Sequence, residues 1–161
     1  MCIRDRLWAE CERLKLKIAP QLTWGKLVEE LLGEYVEPKL IQPTFIHTYP
    51  IDISPLSKQN PDNPSMVERF EIYITGKEMG NAYSELNDPL LQRERFEAIS
   101  KLASQGEEEV HPVDEDYVTA LMHGMPPTGG LGIGVDRIVM LLTNQASIRE
   151  VILFPALRQR S

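Results

Sequence analysis

Five side chains in the second half of the sequence have types and spacings that chemistry could use. Asn81, Tyr83 and Glu85 alternate with Ala82 and Ser84, so on an extended strand the amide, the phenol and the carboxylate share one face. A tyrosine between small neighbours suits a pocket wall, and an acid beside it attracts a cationic ligand. Glu78 stands seven residues before Glu85, an odd spacing that sends the two carboxylates to opposite faces of a regular strand. The fifth residue, Arg137, ends the stretch Gly130-Leu131-Gly132-Ile133-Gly134-Val135-Asp136-Arg137. Glycine and aliphatic residues alternate there, which makes one strand face greasy and leaves the other without side chains. Three glycines weaken a strand, so the pattern implies that a flat ligand or another backbone lies against the bare peptide. Arg137, in the first turn of an apolar helix, aims a fixed cation at that face. Its planar fork matches a phosphate.

Other chemistries are a poor fit. A dinucleotide turn needs a third glycine where Arg137 stands, and no Gly-Lys-Ser/Thr follows the glycines as a P-loop requires. His47, His111 and His123 have neither metal-ligand nor base–nucleophile spacing and read as structural or surface residues. Cys2 and Cys11 are too few for a disulfide framework, which points to a reducing compartment. With 17 Lys and Arg against 24 Asp and Glu, the net charge is −7, which argues against a general nucleic-acid surface. No apolar run approaches a membrane span, and the N-terminus has no signal-peptide core. A cytoplasmic location is expected.

These residues need a scaffold, and the sequence specifies an α+β one. Leu7, Cys11, Leu14 and Ile18 recur at helical spacing and predict a helix over 7–18. Thr23 is placed to cap a second helix over 24–35 that buries Leu27, Leu31 and Leu32, and Trp8 and Trp24 read as packing residues at helix edges. Residues 44–47 read as a strand. A proline- and asparagine-rich loop then runs from Pro50 to Ser65, of a length that is often mobile or functional. Residues 69–75 alternate, with Phe70, Ile72 and Ile74 on one face and Glu71, Tyr73 and Thr75 on the other. Gly76-Lys77 predicts a two-residue turn of the Gly-X kind, leading into a second strand over 78–85. Asn87 or Asp88 caps a helix over 87–105 with Pro89 at its first position, interrupted by the acidic patch after Gly106. A short helix over 114–123 ends at Gly124. The glycine strand and a buried helix follow, and 151–155 reads as a last buried strand.

Gly-Leu-Gly-Ile-Gly-Val-Asp-Arg with its aliphatic helix resembles motif 3 of the class II aminoacyl-tRNA synthetases. Together with Gly80-Asn81-Ala82-Tyr83-Ser84-Glu85-Leu86-Asn87-Asp88-Pro89, it resembles the lysyl-tRNA synthetase family in particular. The likeness runs from about Trp8 to about Arg158 and divides the chain into residues 1–7, which read as non-native, and 8–161. It implies an antiparallel sheet flanked by helices, the C-terminal part of a class II catalytic domain, without counterparts of motifs 1 and 2 or the anticodon-binding barrel.

The resemblance also implies site roles. Asn81, Tyr83, Glu85 and Gly130 would contact lysine. Glu78, Glu85 and Arg137 would bind ATP, with Arg137 the catalytic residue on the γ-phosphate. Glu78 and Glu85 would hold Mg²⁺, for which the strand must bulge or twist, and Gly80 would permit that. The implied partners are ATP, lysine and tRNA(Lys), in a homodimeric full-length enzyme. The 161 residues alone are expected to be inactive. Two other readings stand: a paralogue that transfers lysine to a protein such as elongation factor P, and a non-catalytic binding module. On the first reading the bare strand, the acidic-phenolic strand and the guanidinium converge on a single cavity.

Overall fold

A computed structural model of the chain describes residues 2–19, 22–103 and 113–156. Four strands form one antiparallel sheet in the order β1-β2-β3-β4: β1 Thr44–Pro50, β2 Met66–Ile74, β3 Lys77–Ser84 and β4 Gly129–Ile133. Among the described residues five α-helices accompany it: α1 Ile3–Arg13, α2 Trp24–Tyr35, α3 Pro89–Ala103, α4 Glu115–Met122 and α5 Val135–Leu142. The expected α+β class is the one observed. Of the helical break after Gly106 and of His111 nothing is described, since both lie outside these residues.

Local signals explain most element boundaries. Thr23 accepts a hydrogen bond from the Lys26 amide and caps α2, while Asp88 accepts from the amides of Leu90 and Leu91 and caps α3 ahead of Pro89. Asp114 does the same for α4, which ends where Gly124 takes a φ of 103°. The first helix departs from expectation. It stops at Arg13 because Lys15 adopts a left-handed φ of 59°. The Lys15 and Leu16 amides then bond back to Glu12 and Cys11, the paired closure that ends many helices.

The turn between β2 and β3 also differs. Thr75 and Gly76 both have positive φ, 54° and 71°, and Ile74 pairs with Lys77. The turn is thus Thr75-Gly76 in the conformation whose twist matches a hairpin, one residue before the expected Gly76-Lys77.

Two expectations about the C-terminal quarter are corrected. The amphipathic α5 buries only Met140, with Leu142 79% exposed. Residues 151–155 form turns and bends, with Phe154 93% exposed. A strand needs a sheet edge that satisfies its amides and carbonyls, and these residues pair with none of the four strands.

The burial of β2 is the reverse of a greasy-side-in pattern. On β2, Glu71 and Tyr73 are buried, at 7% and 3% exposure, whereas Phe70, Ile72 and Ile74 remain half-exposed. The polar face is the one that Tyr49, α2 and the loop after β1 enclose, and it carries the site.

Candidate active site

Register decides which side chains meet. Across β2 and β3, Arg69 pairs with Tyr83, Glu71 with Asn81 and Tyr73 with Glu78. The register shifts between Ile72 and Tyr73, so Met79 is an extra residue opposite the pair. This bulge beside Gly80 turns Glu78 onto the face of Asn81 and Tyr83 despite its odd spacing from Glu85. Gly80 is needed there for a further reason. A Cβ on it would lie 2.9 Å from the Gly132 carbonyl oxygen of β4.

The bare strand lies alongside. Gly130 pairs with Tyr83 and Gly132 with Asn81, so the side-chain-free face of β4 extends the face that bears the amide and the phenol. The Glu85 carboxylate lies over Gly130, and a Cβ at that position would collide with Glu85 Oε1. Burial holds the Glu85 carboxyl above the usual carboxylate range. Burial first, and then the nearby Glu85 charge, likewise raises the phenols of Tyr83 and of Tyr117 on α4.

At the other end of β3, Arg137 Nη1 donates to the Glu78 carbonyl at 2.6 Å and lies 3.5 Å from its carboxylate. The two side chains are 50% and 39% exposed. The same face therefore runs from an isolated, partly desolvated carboxylate to an accessible guanidinium.

Concavities lie on both sides of this part of the sheet. A cleft of about 600 Å³ takes Glu78, Asn81 and Arg137, with Arg69, Glu71 and Tyr73 in its wall. A second of about 460 Å³ lies against the opposite face, where His47, Phe70, Ala82 and Leu131 stand side by side across the four strands, and it takes in Tyr83 and Gly130 from that side. A third of about 300 Å³ includes Glu85, together with Ser84 and Gly129 that also line the second. The single cavity expected from the sequence is not the one observed: Glu78, Asn81 and Arg137 share the first cleft, while Tyr83, Gly130 and Glu85 do not line it. Glu78 and Glu85 do not meet. With Met79 taken up by the bulge, about six extended steps of roughly 3.3 Å put their backbones about 20 Å apart, too far to share an ion. Among the described residues no three His, Cys, Asp or Glu side chains form a metal-binding group.

Two residues of the first cleft escaped the sequence reading. Arg69 donates from Nε to Asn81 Oδ1 at 3.1 Å, from Nη1 to the Ile53 carbonyl at 3.1 Å and Ser54 Oγ at 2.9 Å, and from Nη2 to Glu71. Its guanidinium also stacks 4.6 Å from the centre of the Tyr49 ring. Glu71 accepts from the Tyr49 and Tyr73 hydroxyls at 2.8 and 2.7 Å, and burial, with the Glu71 contact next, keeps both phenols well above their usual range. The available signal was the Arg-x-Glu spacing, which puts opposite charges on one strand face.

The long loop after β1 supplies part of this network. Lys58 and Leu86 amides bond to Ser84 and Leu56 carbonyls, so the loop is tied to the end of β3, where Ser57 bridges to Glu85. It thereby delivers Ile53 and Ser54 to Arg69.

Comparison with known proteins agrees with this geometry. Residues 7–158 match the model of the tRNA synthetases class II (D, K and N). The chain is 57% identical over 158 residues to a lysine–tRNA ligase of Dehalococcoides mccartyi strain 195, covering 98% of this chain and 32% of that protein. It is 56% identical over 146 residues to the lysine–tRNA ligase of Chloroflexus aurantiacus, covering 91% and 30%. With the lysine–tRNA ligase of Bacillus subtilis it shares 55% identity over 146 residues, covering 91% and 29%. The chain spans about a third of the length of these relatives. A glycine strand without side chains, a bulged strand carrying an amide, a phenol and two acids, and an arginine opening the next helix are thus the setting of a shared sequence, and the chain belongs to the class II tRNA synthetases of the D, K and N group.

Proposed function

We propose that this chain forms the amino-acid and nucleotide half of a lysine–tRNA ligase, which uses ATP to activate lysine and then transfers it to tRNA(Lys). The observation that carries this reading is the polarity of the sheet face, from Glu85 over Gly130 to Arg137 beside Glu78. A ligand that is cationic at one end and approaches a polyphosphate at the other fits it.

Lysine is such a ligand. Its ε-ammonium belongs at Glu85, whose desolvated carboxyl gains a counter-ion, with Tyr83 as the flanking wall. Its α-carboxylate extends along β3 toward Asn81, against the bare peptide of Gly130 and Gly132. The polyphosphate belongs at Arg137, whose guanidinium is accessible and only loosely tied. A lysine carboxylate oxygen then attacks the α-phosphorus and pyrophosphate leaves. A hydroxyl at the 3′ end of tRNA then attacks the lysyl carbonyl of the adenylate, forming the ester and releasing AMP. The chain supplies no side-chain nucleophile to this sequence. It contributes orientation of the reactants and neutralisation of charge.

Magnesium fits only part of the expected donor set. Mg²⁺ is usually held by one or two carboxylates together with substrate phosphates. Glu78 meets that need in the cleft of Arg137, where the other carboxylates are Glu71, Glu37 and Glu29 and Glu85 takes no part. When bound, the ion would neutralise phosphate charge.

Cytoplasmic location and a homodimeric full-length assembly belong to the same proposal. No helix among the described residues is long and apolar enough to cross a membrane. Lysine-dependent exchange between pyrophosphate and ATP tests the whole. A polypeptide of the relatives' length carrying this sequence is expected to exchange, and the 161 residues alone are not. Exchange that ignores lysine would overturn the proposal.

A further inference from the structure

Asn81 offers one oxygen and one NH₂ group, and which of them faces a ligand decides whether the cleft recognises a donor or an acceptor. Arg69 settles the question because a guanidinium has only donors. The atom 3.1 Å from Arg69 Nε is therefore Oδ1, and the NH₂ group is turned away from Arg69, with no hydrogen-bond partner among the described residues. Arg69 is itself immobilised. Four of its five N–H groups are taken by Asn81, Ile53, Ser54 and Glu71, its ring partner is Tyr49, and its side chain is only 14% exposed.

We infer that Arg69 is a positioning residue that locks the Asn81 amide so that its N–H groups face the amino-acid carboxylate, making the cleft selective for a ligand that carries one. The inference deepens the proposed function and rests on it. An acceptor oxygen could also come from a phosphate. The carboxylate is the better occupant because Asn81 lies between Arg137, the phosphate end, and Glu85, the ammonium end, on the same strand face.

The test compares binding of L-lysine with L-lysinamide, which keeps both amines and loses the carboxylate charge, in a polypeptide of the relatives' full length carrying this sequence. Wild type is expected to prefer lysine. Arg69→Lys keeps the charge beside Glu71 but cannot span all four partners. It should weaken lysine about 10- to 100-fold, as loss of a hydrogen bond to a charged group does, and leave lysinamide unchanged. Asn81→Ala should do the same, and the double variant should be no weaker than Asn81→Ala alone.

In Asn81→Asp, Arg69 would hold one carboxylate oxygen and leave the other facing the ligand, so the preference should invert to lysinamide. Should Arg69→Lys fail to fold, Ser54→Ala loosens the guanidinium from its far side and should weaken lysine alone, about threefold. Equal weakening of both ligands by Arg69→Lys or Ser54→Ala overturns the inference. A fall in ATP affinity with the lysine-to-lysinamide ratio unmoved overturns it too, and assigns Asn81 to a phosphate. Wild type that binds neither lysine nor lysinamide overturns the function proposal first.

Discussion

Two arginines stand on the same face of the sheet and could hardly be held more differently. Arg69 is 14% exposed and tied to a carboxylate, a carbonyl, a hydroxyl and an amide. Arg137 is 50% exposed and, among the described residues, its polar partner is Glu78, through a carbonyl at 2.6 Å and a carboxylate at 3.5 Å. A guanidinium with its N–H groups spoken for shapes its surroundings, whereas one with open N–H groups receives a ligand. Motif recognition finds the second kind. Only register and hydrogen bonding reveal the first.

The contrast should be largest in stability. Removing one partner of a buried ion pair leaves the other charge uncompensated, at about 3–5 kcal/mol. Arg69→Met strands Glu71, which is 7% exposed, so urea denaturation should show a loss of that size. A loss under about 1 kcal/mol would mean that water reaches Glu71 and that Arg69 is no more anchored than Arg137.

Next comes the acid that has no arginine. Glu85→Gln keeps the shape and removes the charge, and lysine affinity should fall by about 2–3 kcal/mol, roughly 30- to 150-fold, with ATP affinity unchanged in calorimetry. The pH dependence has a definite sign. Burial raises the Glu85 carboxyl above the usual 4.5. As pH falls through the raised value the carboxyl takes up a proton and lysine binding weakens. Glu85→Gln should flatten that limb. Stability runs the other way. The folded state holds this proton more tightly than the unfolded one, so the contribution is present at pH below the unfolded value and lost as pH rises through the raised one.

The glycines separate scaffold from site in the same manner. A methyl at Gly80 meets the Gly132 carbonyl at 2.9 Å, backbone against backbone. Gly80→Ala should therefore push β3 from β4 and cost about 1–3 kcal/mol, as overpacking does. A methyl at Gly130 meets only the end of the Glu85 side chain, which can swing aside. Gly130→Ala should melt near wild type yet bind lysine poorly. Equal melting losses for the two would show that Glu85 is as rigid as the sheet.

What was legible in the sequence follows from how far each signal reaches. Thr23, Asp88 and Asp114 act on amides two or three residues away, and the alternation of Gly130 to Val135 needs no neighbour to be read. The pairing of Glu78 with the Asn81 face depended on a bulge, for which Gly80 was a usable hint, although the extra residue is Met79. The separation of Glu78 from Glu85 was also in the sequence, as strand length, but the family likeness spoke louder than the 3.3 Å rise. The Arg69–Glu71 pairing could be read from their spacing, but the rest of their network could not, because its partners come from a loop some 15 residues away and from Tyr49 and Asn81 on other strands. The expected strand over 151–155 and the expected burial of α5 failed for a related reason. Apolar content predicts that a segment prefers cover, and says nothing of whether the cover lies within the same stretch of sequence.

The smallest stability effect belongs to Arg137, and it sharpens the contrast most. Exposed ion pairs contribute about 0–1 kcal/mol because water and salt screen them and two long side chains lose freedom to form them. Arg137→Met should accordingly shift the urea midpoint by no more than that, against several times as much for Arg69→Met. ATP affinity should nevertheless fall, because a methionine keeps the length and loses the planar pair of donors that phosphate oxygens require. Arg137→Lys would restore the charge without the fork, and its ATP affinity should lie between the two. If Arg137→Met instead unfolds as readily as Arg69→Met, Arg137 is a structural clamp on the Met79 bulge, and the phosphate end of the site must be sought elsewhere on the face.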